Sequence, residues 1–251
     1  IIEAPTGIGK TMATLYPSIK AMEFSAANRV FYLSAKTSTQ ALAQIALKDL
    51  TVAGGNLRSI IITSKEKICF SPGEPCHPDH CEYAKGYYDQ VQNTIDTMLG
   101  EAAHFDRSTI EFAARRDRIC PFELSLDLSR SCDAIIADYN YVFDPIVYLR
   151  RYFDTNNRDS IALVDEAHNL VDRARDMFSA EVYKESYLTI AKIFKNTAPA
   201  VMKAAKKVNR AFLGYKKQYK NEFEVHGYFT GYEIPESVVS AMQTFCSSAE
   251  E

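Results

Sequence analysis

Ala4-Pro5-Thr6-Gly7-Ile8-Gly9-Lys10-Thr11 is the stretch from which the rest of the chain can be read. It fits the pattern G-x-x-x-x-G-K-[ST], with Ala4 at the first glycine position. Each part has a physical reason. Gly7 and Gly9 carry no Cβ, so the backbone N–H groups from Thr6 through Ile8 to Thr11 can curl around phosphate oxygens. Lys10 brings a positive charge to the β- and γ-phosphates, and the Thr11 hydroxyl is a ligand for magnesium. The helix expected from Thr11 adds the positive end of its dipole. The stretch therefore predicts a nucleotide site. Upstream, Ile1-Ile2-Glu3-Ala4-Pro5 reads as the end of a strand running into a loop, and further residues are expected before it.

A second motif belongs with the first. Val164-Asp165-Glu166-Ala167-His168-Asn169 follows an apolar run, Ile161–Leu163. Carboxylates at the C-terminal end of a parallel strand face the ligand crevice of an α/β sheet. There Asp165 can hold magnesium through water, Glu166 can orient and deprotonate an attacking water, and His168 can link the nucleotide to neighbouring parts. A surface charge cluster is the ordinary reading of D-E-A-H alone, but two motifs in this order, each after its own strand, make it a poor one. Short apolar runs, Arg29–Ser34, Ser59–Thr63, Ala134–Ala137 and Ile161–Asp165, predict strands, with helices at Thr11–Phe24 and Thr39–Leu50 between them. This is the rhythm of an α/β domain.

Between about Lys67 and Pro121 the rhythm breaks. Ser71–Cys81 (SPGEPCHPDHC) is too rich in Pro, Gly, Asp and His for a regular element, and helices are predicted over Tyr83–Leu99 and Ser108–Arg118. Four of the six cysteines, Cys69, Cys76, Cys81 and Cys120, fall in this insertion, separated by 6, 4 and 38 residues. They match the ligand count of a 4Fe-4S cluster and equally that of a four-thiolate zinc site. His77 and His80 lie beside them and read as exposed loop residues, while Cys132 and Cys246 read as small buried hydrophobes. Without a core of its own, the Ser71–Cys81 stretch would need metal ligation to be rigid.

These motifs together resemble the superfamily 2 helicases, and the four cysteines between them resemble the iron–sulfur branch, the XPD/DinG-like DNA helicases. Cys120-Pro121-Phe122-Glu123 is similar to that family's last cluster cysteine and its context. Ala137-Asp138-Tyr139-Asn140-Tyr141-Val142-Phe143-Asp144-Pro145 is similar to its A-[ND]-Y-N-Y-[LV]-F-D-P stretch. Tyr32–Thr39 (YLSAKTST) occupies the place of its motif Ia, and Lys85–Asp89 (KGYYD) resembles a segment of bacterial DinG-like members. The resemblance covers Ile1 to about Asp172, and it favours iron over zinc. It implies a RecA-like P-loop lobe over 1–66 and 122–175, an iron–sulfur insert over 67–121 and part of a helical arch domain over 176–251. It implies ATP, Mg2+ and a 4Fe-4S cluster as cofactors, and translocation 5′ to 3′ on single-stranded DNA, with the cluster lobe wedged at a single-strand/duplex junction. Thr37 and Lys36 would touch the DNA backbone. Lys85, Tyr87 and Tyr88 would stack on or pair with a single strand, or else simply pack.

The net charge of −3 excludes a globally basic nucleic-acid binder, so DNA contacts must be local. Ser186–Lys220 supplies a candidate, with nine Lys/Arg, no Asp or Glu, and Tyr187, Phe194, Phe212, Tyr215 and Tyr219 interleaved. A phosphate-attracting surface, an arch face for protein partners and a solvated basic helix face all fit it. No apolar run approaches the roughly 20 residues of a bilayer span and no signal peptide is present, so a cytoplasmic protein without a membrane partner is expected, nucleoid-associated if bacterial. Only 83 residues follow His168, too few for a second motor lobe plus an arch, so the chain alone is expected to bind nucleotide weakly and hydrolyse it poorly. Two other readings stay open at this level: a helicase fused to a nuclease, and a non-motor DNA-binding or docking module with a vestigial ATP site. DNA repair is one of several pathways compatible with the motifs.

Overall fold

The computed structural model describes residues 1–5, 7–153, 160–232 and 235–250, which fall into two compact units, Ile1–Ser179 and Ala180–Glu251. In chain order the first unit contains α1 (Lys10–Glu23), β1 (Arg29–Leu33), α2 (Thr37–Val52), β2 (Ser59–Ile61), α3 (Lys65–Ile68), α4 (Tyr87–Glu101) and β3 (His104–Phe105). It continues with α5 (Arg107–Asp117), α6 (Pro121–Leu128), β4 (Ala134–Ala137), α7 (Asn140–Phe143), α8 (Arg150–Phe153), β5 (Ser160–Val164) and α9 (Leu170–Met177). The strands form one parallel sheet in the order β3-β2-β4-β1-β5. The expected α/β class is what the chain adopts. The four predicted strands are all present, within a residue or two of their expected bounds. Ile1–Pro5, expected as a strand end, has no regular structure.

Alternation along the strands explains the two cores. Val30 and Tyr32 of β1 and Ala134 and Ile136 of β4 face α1 and α2, packing with Leu15, Ile19, Ala43 and Leu47. Phe31, Leu33, Ile135 and Ala137 face the other way, into a larger core with Ile68, Ile95, Ile110 and Leu124. A sheet covered on both faces needs apolar residues at every central position, hence the unbroken runs in β1 and β4.

The stretch 67–121 differs from the expectation of an insertion without a core. Only its cysteine loop is bare, residues 72–80 all being exposed. Its helices α4 and α5 bury Ile95, Met98, Ile110 and Ala114 in the same core as Phe31 and Leu33, and its two-residue β3 pairs with β2 at the sheet edge.

The second unit is helical, as expected: α10 (Lys184–Ile193), α11 (Pro199–Gln218), α12 (Lys220–His226) and α13 (Glu236–Glu250). Its buried residues are small, Ala191, Ala204, Ala205, Val208, Val238 and Ala241, and aromatic pairs close its flanks: Tyr187 on Phe245, and Tyr219 stacked on Phe229 with centroids 3.8 Å apart.

Candidate nucleotide site and cysteine cluster

The register of the sheet assembles the site. Leu33 is level with both Ala137 and Val164, so β1, β4 and β5 end together and the residues that follow them meet at one edge. The Asp165 N–H donates to the Leu33 carbonyl (2.9 Å), continuing the ladder one residue past the strand. Asp165 follows Ile161 and Leu163 on the face turned toward α1, and Glu166 then takes a left-handed backbone (φ 49°) that ends the strand direction. A left-handed glutamate is uncommon and costly for a residue with a Cβ. Asn169 N–H donates to its carbonyl (2.9 Å), and the Tyr139 hydroxyl donates to the main-chain oxygen of Asp165.

The phosphate loop enters the same edge. Gly7 and Gly9 have φ of 87° and 86°, and nothing lies within 4 Å of where a Cβ would stand on either. The left-handed backbone, and not crowding, is therefore what demands glycine there. Gly9 caps α1. The Lys10 ammonium folds back across the turn and donates to the Ala4 carbonyl (2.7 Å). Thr6 lies outside the described residues. Ile8 is exposed on the loop.

The two motifs converge at Tyr32. Its hydroxyl lies 3.5 Å from Thr11 Oγ1, and Tyr32 pairs with Leu163, which puts Asp165 two residues on along the same face. Burial, chiefly, pushes this phenol up to about 12. Around the pair stand His168, whose Nδ1 is 3.5 Å from a Glu166 oxygen, and Arg173, which grips both oxygens of Asp138 at 3.1–3.2 Å. Sequence reading found Lys10, Thr11, Asp165, Glu166 and His168. It missed Tyr32, Tyr139 and Arg173, because a tyrosine in an apolar run looks like core and an arginine on a helix looks like surface.

Cys69 is the C-cap of α3 and Cys120 the N-cap of α6, both half-buried; Cys81 is buried and Cys76 exposed. Burial raises the Cys120 thiol, against which the N–H groups of Glu123 and Phe122 at the start of α6 act. Lys65, one turn before Cys69, is a residue that sequence reading missed. Its ammonium stands near the Cys76 thiol and in the field of Cys69 and Cys120, which raises its pKa. Cys69, Cys76 and Cys120 thus lie in the field of a cation that favours thiolate, and the chemistry of the four cysteines fits the donor set of a thiolate-bound cluster. Among the described residues no three His, Cys, Asp or Glu side chains stand at the spacing of a closed metal site. His77 and His80 are exposed, as expected, and His77 pairs with Asp79 (3.2 Å). Cys132 is buried, and burial pushes its thiol up to about 12. Cys246 corrects the expectation of a buried hydrophobe: it is exposed on α13.

Of the residues considered for DNA, Lys36 and Thr37 are exposed at the start of α2, just past the C-terminal end of β1. Lys85 is exposed. Tyr88 is 89% exposed, whereas Tyr87 is 5% exposed and donates to Asp127 (2.8 Å), which leaves no ring face for a base. Tyr87 instead braces the Tyr88 ring, edge to face at 5.4 Å. In the second unit all nine cations of Ser186–Lys220 are exposed. Lys203, Lys206, Lys207, Arg210 and Lys217 recur at helical spacing along the face of α11 opposite Ala204, Ala205 and Val208.

A parallel sheet with a phosphate loop and an Asp-Glu turn at the ends of its strands defines a RecA-like P-loop lobe. Comparison with known proteins narrows the class. The DEAD_2 family model matches residues 34–187. The chain is 23% identical over 207 residues to the XPD/RAD3 helicase subunit of general transcription and DNA repair factor IIH from Saccharomyces cerevisiae, covering 68% of this chain and 26% of that one. It is 27% identical over 135 residues to the Fanconi anemia group J protein homolog of Gallus gallus, covering 52% and 10%. It is 27% identical over 106 residues to the regulator of telomere elongation helicase 1 homolog of Caenorhabditis briggsae, covering 42% and 10%. The chain thus spans between a tenth and about a quarter of these relatives. Solved structures share the fold: a truncated XPD (TM-score 0.57, 16% identity, 99% of this chain and 71% of that one) and an XPD helicase (TM-score 0.55, 17% identity, 99% and 43%). The chain belongs to the DEAD_2 family and is similar in sequence and fold to XPD-type helicases.

Proposed function

We propose that this chain carries the first motor lobe of an ATP-dependent DNA helicase that translocates 5′ to 3′ on single-stranded DNA. The observation that carries the reading is the shared edge of the two motifs, with Thr11 Oγ1 3.5 Å from the Tyr32 hydroxyl on β1 and Asp165 continuing the β5 ladder beside β1, since a phosphate loop and a carboxylate turn can act on one triphosphate only if they share an edge. The relatives, named as helicases, support the class of reaction.

In this reading the N–H groups of Thr6, Gly7, Ile8 and Gly9 cradle the phosphates, and Lys10 leaves the Ala4 carbonyl for the β- and γ-phosphates. Thr11 and Asp165 hold magnesium, whose chemistry is to neutralise charge on the transferred phosphoryl group. Glu166, aimed by its left-handed backbone, orients and deprotonates the attacking water, and His168 contacts it from the exposed side. Cys69, Cys76, Cys81 and Cys120 hold a 4Fe-4S cluster with Lys65 beside their sulfurs. Lys36, Thr37, Lys85 and Tyr88 meet single-stranded DNA near a duplex junction, with Tyr87 as the support of Tyr88. The second unit serves as part of an arch that meets DNA or protein partners. The complete Gly9-Lys10-Thr11 and Asp165-Glu166 sets argue for a working motor over a vestigial site.

Strand displacement by the full-length protein tests this. Lys10→Ala and Glu166→Gln should each abolish unwinding and leave the circular dichroism spectrum unchanged. Unwinding that survives either change would refute the assigned roles. Iron and sulfide analysis with a shoulder near ~400 nm tests the cluster. A colourless protein that carries zinc alone sinks that part and leaves the motor reading standing.

A further inference from the structure

Tyr32 stands on the α1 face of β1 with its ring packed among Leu15, Ile19, Ala134 and Ile136, and only its hydroxyl reaches the nucleotide edge. That hydroxyl lies 3.5 Å from Thr11 Oγ1, and the pairing of Tyr32 with Leu163 sets Asp165, two residues on, beside it along the same face of the sheet. A phenol has one proton to donate and lone pairs to accept with, and an ionised carboxylate can only accept. A bond from Tyr32 to the Asp165 carboxylate would therefore also set the direction of the contact with Thr11: the Tyr32 proton would go to Asp165, and the Thr11 proton to the Tyr32 oxygen. With its proton committed away from the phosphate loop, the Thr11 oxygen would have a lone pair free for a cation.

We propose that Tyr32 is a positioning residue for the metal–nucleotide site, its hydroxyl relaying Thr11 to Asp165 so that the two side chains assigned to magnesium are held in register. The inference rests on the ATP-site reading above. It assigns a residue of β1, outside both motifs, to the affinity for the metal. A second tyrosine holds Asp165 from behind, Tyr139 donating to its main-chain oxygen. The main chain of Asp165 is thereby fixed, and on this proposal Tyr32 fixes its carboxylate.

The test is a magnesium titration of fluorescent mant-ATP binding to the full-length protein, wild type against Tyr32→Phe, which keeps the ring and removes only the hydroxyl. The magnesium concentration at half-maximal binding should rise about tenfold, the order a hydrogen bond to a charged group contributes. Binding without magnesium should be unchanged. In an Asp165→Asn background Tyr32→Phe should add little, because both changes break the same relay. An unchanged magnesium half-point in Tyr32→Phe, with or without a lower melting temperature, marks Tyr32 as core filler and overturns the proposal. Lys10→Ala separates the two levels. If it leaves mant-ATP binding intact, the ATP-site reading itself fails. If it abolishes binding while Tyr32→Phe behaves as wild type, only the role of Tyr32 fails.

Discussion

The residue that strains the backbone most informatively is Glu166. Its left-handed φ of 49° is held by bonds on both sides: Tyr139 to the carbonyl of Asp165, and Asn169 to its own. Tyr139→Phe should therefore lower kcat for ATP hydrolysis more than it raises KM, and cost about 1 kcal/mol of stability. Steady-state kinetics and urea melts of the full-length protein check both, and an unchanged kcat would make the bond merely structural. Glu166→Gly should go the other way on stability, since glycine adopts this conformation without strain, while removing the carboxylate proposed as the base. At this scale the sequence was legible where chemistry fixes residue type. Gly9-Lys10-Thr11 and Asp165-Glu166 could be singled out because each pattern is contiguous in the chain and few residue types suit the chemistry it suggests. Tyr32 and Lys65 could not, because their meaning lies in what stands across from them in space, Asp165 in one case and Cys76 in the other.

Among the elements, long and strongly patterned ones were legible and short ones were not. β1 and β4 have apolar runs that only a doubly covered strand explains, and α1, α2, α4 and α5 were predicted close to their bounds. β3 has two residues, too few to carry an alternation, and it was missed inside what looked like an insertion. Its hold on the sheet is polar. His104 Nδ1 lies 2.8 Å from Ser59 Oγ on β2, and its Nε2 lies 3.1 Å from Thr51 Oγ1 on α2. Burial, with Lys48 nearby, holds its pKa below the ordinary value. The unfolded chain thus takes up this proton at higher pH than the folded one. Stability from His104 is intact above the unfolded value of about 6.5 and is lost as pH falls below it. Next to it Asp106 caps α5. Burial raises its carboxyl, but bonds from Ser108 and Thr109 outweigh that and hold it low, so its contribution persists down to about pH 4 and then fades. Thermal melts from pH 7.5 to 5.5 should show an early fall that His104→Gln removes. Asp106→Ala should cost about 1 kcal/mol near neutral pH.

For the whole molecule, charge and metal can be tested apart from each other. The basic stripe of α11 offers phosphate contacts even though the chain as a whole is acidic. Replacing Lys206, Lys207 and Arg210 by Glu should weaken single-stranded DNA binding by the full-length protein and flatten its salt dependence by roughly 0.7 per lost phosphate contact. An unaltered slope assigns the stripe to solvent or to a protein partner. The cysteine loop poses a different question. Because α4 and α5 share the apolar core of the sheet, the lobe has no need of a cluster to stay folded, in contrast to a zinc finger. If the four cysteines hold the cluster proposed above, Cys120→Ser should erase the visible absorption and move the melting temperature little. A bleached sample would then pass every check of shape and solubility, retain its grip on ATP, and still be useless at a fork. On that reading the brown colour of a preparation, more than its folding, reports whether the proposed cluster lobe is intact.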